Sequence, residues 1–211
     1  MTYDNFIYIL NGASVTLFLS IMSVFFGFLL GSIIAFAYYY ENIFFKTIAK
    51  IYVSIFRGTP MLIQLSIIYY ALPQILSIRL SIFEAGILSF SLNSAAYVSE
   101  ILRSGIESID KGQIEAAQSL GLNKKIIFKN IILPQAFYNV MPSLVNEVIN
   151  MVKETCIISM IGGLDLMKRA NSVASERADY FGPMLFAAFC YYILIVSLTF
   201  ISKKIEGLKK W

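Results

Sequence analysis

The chain has 211 residues, 58% of them hydrophobic and 14% charged, with a mean hydropathy of +0.72. Soluble domains carry about 25% charged residues, so too little polar surface is available to coat a water-soluble globule, and the same figures exclude disorder. The sequence holds no histidine, which excludes His-metal centres and His-based catalytic triads.

Cys156 and Cys190 sit in apolar surroundings and read as packing residues, not as a disulfide framework or a zinc site. The net charge of +4 has no soluble basic domain to occupy, and its distribution suits a membrane protein, not a nucleic-acid-binding one. Residues 5–40 carry no charge, more than a bilayer span needs, and the first span is expected over 12–36. No basic segment precedes this stretch and no small-residue cleavage site follows it, so a signal peptide is not expected. A second span is expected over 51–76, with Arg57 as its charge and with Gly58 and Pro60 placed to bend or interrupt it. A third is expected over 82–102, with Glu84 and Glu100 near its ends. The fourth, over 134–161, encloses Glu147, Lys153 and Glu154, and the fifth, over 181–202, is uncharged.

The fold class expected is therefore an all-α polytopic membrane protein of about five transmembrane helices. Lys and Arg in short loops set orientation. Lys46 and Lys50, then Lys111, Lys124, Lys125 and Lys129, then Lys203, Lys204, Lys209 and Lys210 all fall on one side of a five-span chain. That side is expected to be cytoplasmic, with the N-terminus outside, the C-terminus inside and Trp211 as an interfacial anchor. The segment from Asp165 to Asp179, of mixed charge, falls outside, either as a solvated loop or as a docking surface. No repeat suggests two inverted halves. Five helices would more naturally form half of a pore completed by a second subunit.

Between the third and fourth spans lies GQIEAAQSLGLNKKIIFKNIILPQA, from Gly112 to Ala136. Good helix formers from Ile114 to Leu120, closed by Gly121, predict a short surface helix and a turn. Pro134 suits the start of the next helix. Physics alone leaves two readings of this segment, a rigid lever that docks a partner or an interfacial helix with a solvated face.

The spacing of EAAQSLG from Glu115 to Gly121, followed by IILP from Ile131 to Pro134, resembles the EAA loop of binding-protein-dependent ATP-binding-cassette (ABC) importers. No GxxxxGK[ST] phosphate loop is present, which suits the permease and not the ATPase. Further stretches resemble the polar amino acid permeases, the histidine, glutamine, arginine and opine family. They are NGASVTLFLS from Asn11, FRGTPMLIQL from Phe56, NSAAYVSEILRSGI from Asn93, and NEVINMVKETCIISMIGG from Asn146. Cys156 departs from the serine common in that family. The resemblance implies a type I ABC importer-like fold, with residues 1–211 as a single transmembrane domain and 112–133 as the cytoplasmic coupling loop. It also implies a bacterial cytoplasmic (inner) membrane location. The implied partners are a second permease subunit, identical or related, two cytoplasmic ATPase subunits, an extracellular or periplasmic amino-acid-binding protein, and membrane lipid. The chain itself is then not an enzyme and binds no cofactor, with ATP and Mg²⁺ in the ATPase.

Charges within the membrane need a role or a partner. Glu154 and Thr155 are candidates for the substrate path, with Asn93 beside them, and a structural ion pair is the competing role for Glu154. Glu115, Ala116, Ala117 and Gly121 are the ATPase-coupling candidates. Arg57, Gly58, Pro60 and Lys153 are structural or gating candidates. Glu100 and Arg103, three apart, are placed for an intrahelical pair. An oligomeric ATP-independent amino-acid channel or facilitator is the alternative function, and it leaves the EAA spacing unexplained. A membrane enzyme lacks any evident constellation, and a scaffold-only subunit is a further reading.

Overall fold

A computed structural model describes residues 1–39 and 42–207, and these are helical almost throughout. Lys209, Lys210 and Trp211, part of the expected inner anchor, lie outside the described residues.

Helix α1 (Tyr3–Tyr39) is a single 37-residue rod with no charge beyond Asp4. Asn42 caps α2 (Ile43–Gly58) by accepting from the Phe44 N–H at 2.9 Å. The chain then breaks at Thr59 and Pro60 and re-enters helix as α3 (Met61–Ser66), a π turn (Ile67–Ala71) and α4 (Leu72–Leu76). The segments Ile43–Gly58 and Met61–Leu76 meet at 104°. Ser81 opens α5 (Ile82–Glu107) with a reciprocal capping box: its hydroxyl accepts from Glu84 N–H, and the Glu84 carboxylate accepts from Ser81 N–H at 2.7 Å. A short α6 (Lys111–Ser119) follows, and then α7 (Lys124–Ile127). A π turn (Phe128–Ile132) leads into α8 (Leu133–Glu154), which tightens to 3₁₀ geometry over Thr155–Ile161. Helices α9 (Leu166–Arg177) and α10 (Phe181–Gly207) complete the described fold.

Helix α5 is the hub. It lies along α1 with Gly27 and Gly31 against Ser94, Ala95 and Val98, small residues that let two backbones approach closely. A core of Leu19, Leu65, Phe90, Met151 and Ile158 joins α1, α3, α5, α8 and the 3₁₀ segment.

Length and apolarity together identify two membrane-crossing helices among the described residues, Tyr3–Tyr38 and Phe181–Lys204. The bent pair Ile43–Gly58 and Met61–Leu76 raises this to three if it counts as one span. The expectation of about five is therefore corrected. Helices α5 and α8 are long enough, but their composition is too polar. Helix α5 carries Glu84, Glu100, Arg103 and Glu107, and α8 carries Glu147, Lys153 and Glu154. The physical reason is position in the bundle. The most apolar windows of α1 and α10 are only 28% and 11% buried, whereas α5 buries Ser89, Ser91, Asn93, Ser94 and Ser99 inside the protein. An N-terminus outside and a C-terminus inside rested on five spans; two spans would put both termini on one side, and three, with the bent pair as one, would keep them on opposite sides.

The mixed-charge segment from Asp165 to Asp179 is a packed helix, not an open loop. Leu166, Ala170, Val173 and Ala174 of α9 recur at helical spacing and are buried against Ile9 of α1 and Ala187 of α10.

Candidate translocation and coupling site

The break between α2 and α3 frees backbone carbonyls that need donors. Gln64 supplies them. Its amide nitrogen donates to the Phe56 carbonyl at 2.9 Å, to the Thr59 carbonyl at 3.0 Å and to the Thr59 hydroxyl at 2.9 Å. Asn93 reaches the same place from α5, donating to the Gln64 side-chain oxygen at 3.0 Å and to the Phe56 carbonyl at 3.2 Å. Asn93 is thus buried in an amide clasp that ties the bend to the central helix. Gln64 was not singled out from the sequence. A buried amide four residues past a helix-breaking proline is the signal that could have found it.

Gly58 ends α2, a Cβ added to it would meet nothing within 4 Å, and Pro60 starts α3 as its cap residue. Arg57 lies 5.3 Å above the Tyr97 ring and pairs with Glu100 at 3.4 Å, so it braces α2 against α5. Glu100 and Arg103 do pair, at 3.0 and 2.9 Å, and Arg103 also donates to Glu107 at 2.7 Å.

Glu154 sits half-buried at the point where α8 becomes 3₁₀, beside exposed Lys153. Neither makes an ion pair among the described residues. Thr155 is fully buried and its hydroxyl donates back to the Val152 carbonyl at 3.0 Å. Seven residues upstream of Glu154, Glu147 is 6% exposed and accepts from the Ser94 hydroxyl at 2.8 Å. These contacts bring Asn93 and Gln64 together, and separately Ser94 and Glu147. They do not join Asn93 to Glu154.

Helix α6 stands at the end of the bundle where α5 stops. Asp110 caps it by accepting from the Gly112 N–H at 2.6 Å. Ala117 is its buried residue, Glu115 and Ala116 are exposed, and Leu120 is 81% exposed. Gly121 has φ +80, a left-handed conformation that L side chains rarely adopt, which sets the turn toward α7. Asn123 then caps α7 by accepting from Ile126 N–H at 3.0 Å. Gln135 of α8 donates to Gln113 of α6 at 2.8 Å, so the short helix is held to α8 behind it.

At the N-terminal end of α1 a third polar cluster fixes α9. Asp165 is fully buried and accepts from Lys168 N–H at 2.9 Å, from Met167 N–H at 3.3 Å and from the Tyr191 hydroxyl at 3.3 Å. Burial outweighs these bonds and pushes its carboxyl up from 3.8 to about 6. The folded chain therefore binds more protons than the unfolded one between those values, and stability falls as pH rises through that window. Asp165→Asn keeps an acceptor for Tyr191 and is expected to flatten the pH dependence of the melting temperature between about pH 4 and 6. An unchanged slope would show that Asp165 titrates normally.

Residues 27–208 match the family of inner membrane components of binding-protein-dependent transport systems. The chain belongs to this family. A putative glutamine transport system permease protein of Rickettsia typhi is 53% identical to this permease over 204 residues, 97% of this chain and 94% of that protein. The arginine transport system permease protein ArtQ of Bacillus subtilis is 43% identical over 199 residues, 94% and 91% of the two chains. Among solved structures, an amino acid ABC transporter crystallised with histidines superposes with a TM-score of 0.92 at 36% identity, over 95% of this chain and 93% of that one. The MetNI methionine transporter shares the fold at 19% identity, with a TM-score of 0.81. The chain is a multi-pass permease subunit of a bacterial inner-membrane ABC importer in the polar amino acid class. Such a permease is not the catalytic subunit. ATP and Mg²⁺ are used by separate ATPase subunits, and a second permease subunit and a solute-binding protein complete the importer.

Proposed function

We propose that this permease couples ATP-driven motion of its partner to amino-acid passage through α6, with Glu115, Ala116, Ala117 and Gly121 as the coupling element in residues 112–133. The observation that carries this reading is the exposure of Leu120 and Ala116 on a helix capped at both ends and tied to α8 by Gln113 and Gln135. A large apolar side chain 81% exposed at a rigid tip suits insertion into a partner. Movement of the tip would reach α8 directly, and through α8 the Glu154–Thr155 junction. Alternating access then requires the two ends of α8 to be linked, and the helix from Leu133 to Glu154 supplies that link.

Glu154 and Thr155 are proposed to flank the substrate path, Glu154 as the carboxylate that meets the cargo's ammonium or a cationic side chain. Asn93, with Gln64, holds the bend between α2 and α3 that borders this path, and Arg57, Gly58, Pro60 and Lys153 shape or gate it. Glutamine and arginine are the first cargoes to test, because the similar permeases named above carry those designations.

Two arms test the proposal in proteoliposomes holding the permease, its ATPase and its binding protein. Gly121→Asp is expected to weaken capture of the ATPase and to uncouple hydrolysis from the binding protein. Glu154→Gln is expected to cut uptake about tenfold, on the order of 1.4 kcal/mol, while the assembled complex still hydrolyses ATP. Wild-type behaviour of both variants would sink the assignment of these residues.

A further inference from the structure

Helix α2 carries three cations, Lys46, Lys50 and Arg57, at spacings of four and seven. At about 100° per residue these fall within roughly 40° of one another, so they form one stripe. The opposite flank exposes Phe44, Ile48, Ile51 and Ile55. The stripe looks onto α5, where Glu100, Arg103 and Glu107 lie in a row, and the two helices border a polar cavity of 530 Å³ lined by Tyr38, Lys46, Lys50, Glu100, Arg103 and Glu107.

Charge in this cavity does not balance. Among the described residues three cations (Lys46, Lys50, Arg103) line it against two carboxylates (Glu100, Glu107), a net excess of one positive charge, and Arg57 adds a further cation on Glu100 from beyond the lining. Both carboxylates are already engaged, Glu100 by Arg103 and Arg57 and Glu107 by Arg103. Lys46 is half-buried, Lys50 is exposed, and neither ammonium has an ion-pair partner among the described residues. The cavity lies where α1 ends, at the end of the bundle that carries α6, because Glu107 on its wall is the last residue of α5. That is the end of the membrane-crossing segment Tyr3–Tyr38, which is longer than the hydrocarbon core requires. Basic pockets between helices at this depth suit phosphate-bearing head groups.

We propose that this cavity is a phosphate-binding site in which the Lys46 and Lys50 ammonium groups grip a phosphate, with the head group of an anionic phospholipid as the source its position favours. The Glu100–Arg103–Glu107 row forms the rigid wall, and the apolar flank of α2, on the side away from the cavity, suits the surrounding bilayer. Bound there, a lipid would fasten α2 to α5 beside the bend that Gln64 and Asn93 hold. The site is independent of the cargo and of the docking role of α6.

The test uses the full chain purified with its ATPase, with native mass spectrometry reading retained lipid. The probes are phosphatidylglycerol, phosphatidylcholine and inorganic phosphate. Wild type should retain phosphatidylglycerol over phosphatidylcholine, and Lys46→Gln/Lys50→Gln should lower that retention at least about fivefold, about 1 kcal/mol. Lys203→Gln/Lys204→Gln removes the same charge elsewhere and should leave retention unchanged, while Lys46→Arg/Lys50→Arg should preserve it. Should the double glutamine variant fail to fold, the single Lys50→Gln, at an exposed position, carries the same comparison. Phosphate that raises the melting temperature of wild type in lipid-free detergent, but not of the Lys46/Lys50 variant, would assign the site to the free ion. No such rise, with lipid still selected, would assign it to the head group. Equal phosphatidylglycerol retention by wild type and variant, or an equal loss in the Lys203/Lys204 control, with no protection by phosphate, would overturn the proposal.

Discussion

Gly12→Ala is expected to destabilise the chain by about 3 kcal/mol or more, the upper range for forcing an atom into a filled interior. A Cβ at Gly12 would lie 2.6 Å from Leu166 Cα, 2.7 Å from Leu166 N and 2.8 Å from Asp165 C. All three are backbone atoms, so no rotamer change relieves the clash. Neither helix is free to retreat. Four residues on, the Thr16 hydroxyl accepts from Leu166 N–H at 3.3 Å, and Arg169 of α9 donates to the Tyr8 carbonyl at 3.3 Å while stacking 4.8 Å above the Tyr8 ring. Backing α9 away by the ångström required would break both bonds. Gly105 offers the instructive contrast. Its added Cβ meets chiefly the Val140 side chain, which has a rotamer to change, so a smaller loss is expected there. Gly58→Ala meets nothing within 4 Å and should change stability by no more than about 1 kcal/mol. Melting temperatures of the three solubilised variants check this order, and equal shifts for Gly12→Ala and Gly58→Ala would refute the backbone clash.

What was legible in the sequence follows from where each residue's signal arises. Helices α1 and α10 face lipid, so their apolarity is written in composition. Helices α5 and α8 face protein, and their Ser, Asn and Glu residues make sense only through partners on other helices. Counting spans from apolar stretches of low charge therefore reached about five, where length and composition together support two or three. Gly58 and Pro60 announced a break, and the 104° bend is there, but its angle depends on Gln64 and Asn93, 29 residues apart. The short α6 was legible because Ala-rich local propensity and a closing glycine set it without help from elsewhere. Its cap at Asp110 is equally local and was passed over. Helix α9 was obscured by its charges. Lys168, Arg169, Glu176 and Arg177 masked the buried series Leu166, Ala170, Val173 and Ala174. The ion-pair row at Glu100 and Arg103 was readable from spacing, whereas the stripe of Lys46, Lys50 and Arg57 gains meaning only once α2 is laid beside α5.

Glu147 separates a structural carboxyl from a charge that must stay ionised. Its side chain is 6% exposed, lies between α5 and α8, and accepts from the Ser94 hydroxyl at 2.8 Å. Ser94 is itself locked against α1, since its side chain fills the space that a Cβ on Gly27 would need. Glu147→Ala leaves a cavity and strips the buried Ser94 hydroxyl of its acceptor, and the two effects together are expected to cost about 3 kcal/mol. Glu147→Gln keeps the volume and presents an amide oxygen to Ser94. No ion pair reaches Glu147 among the described residues, so nothing within this chain requires its negative charge. The glutamine variant should therefore melt within about 1 kcal/mol of wild type and support uptake at a similar rate. Uptake lost in Glu147→Gln with stability retained would move Glu147 from the packing of α5 on α8 to the transport step. A second permease subunit supplying a cation at this position would then be the first thing to look for. Equal destabilisation by alanine and glutamine would instead show that the carboxylate's charge, not its shape, holds α5 to α8.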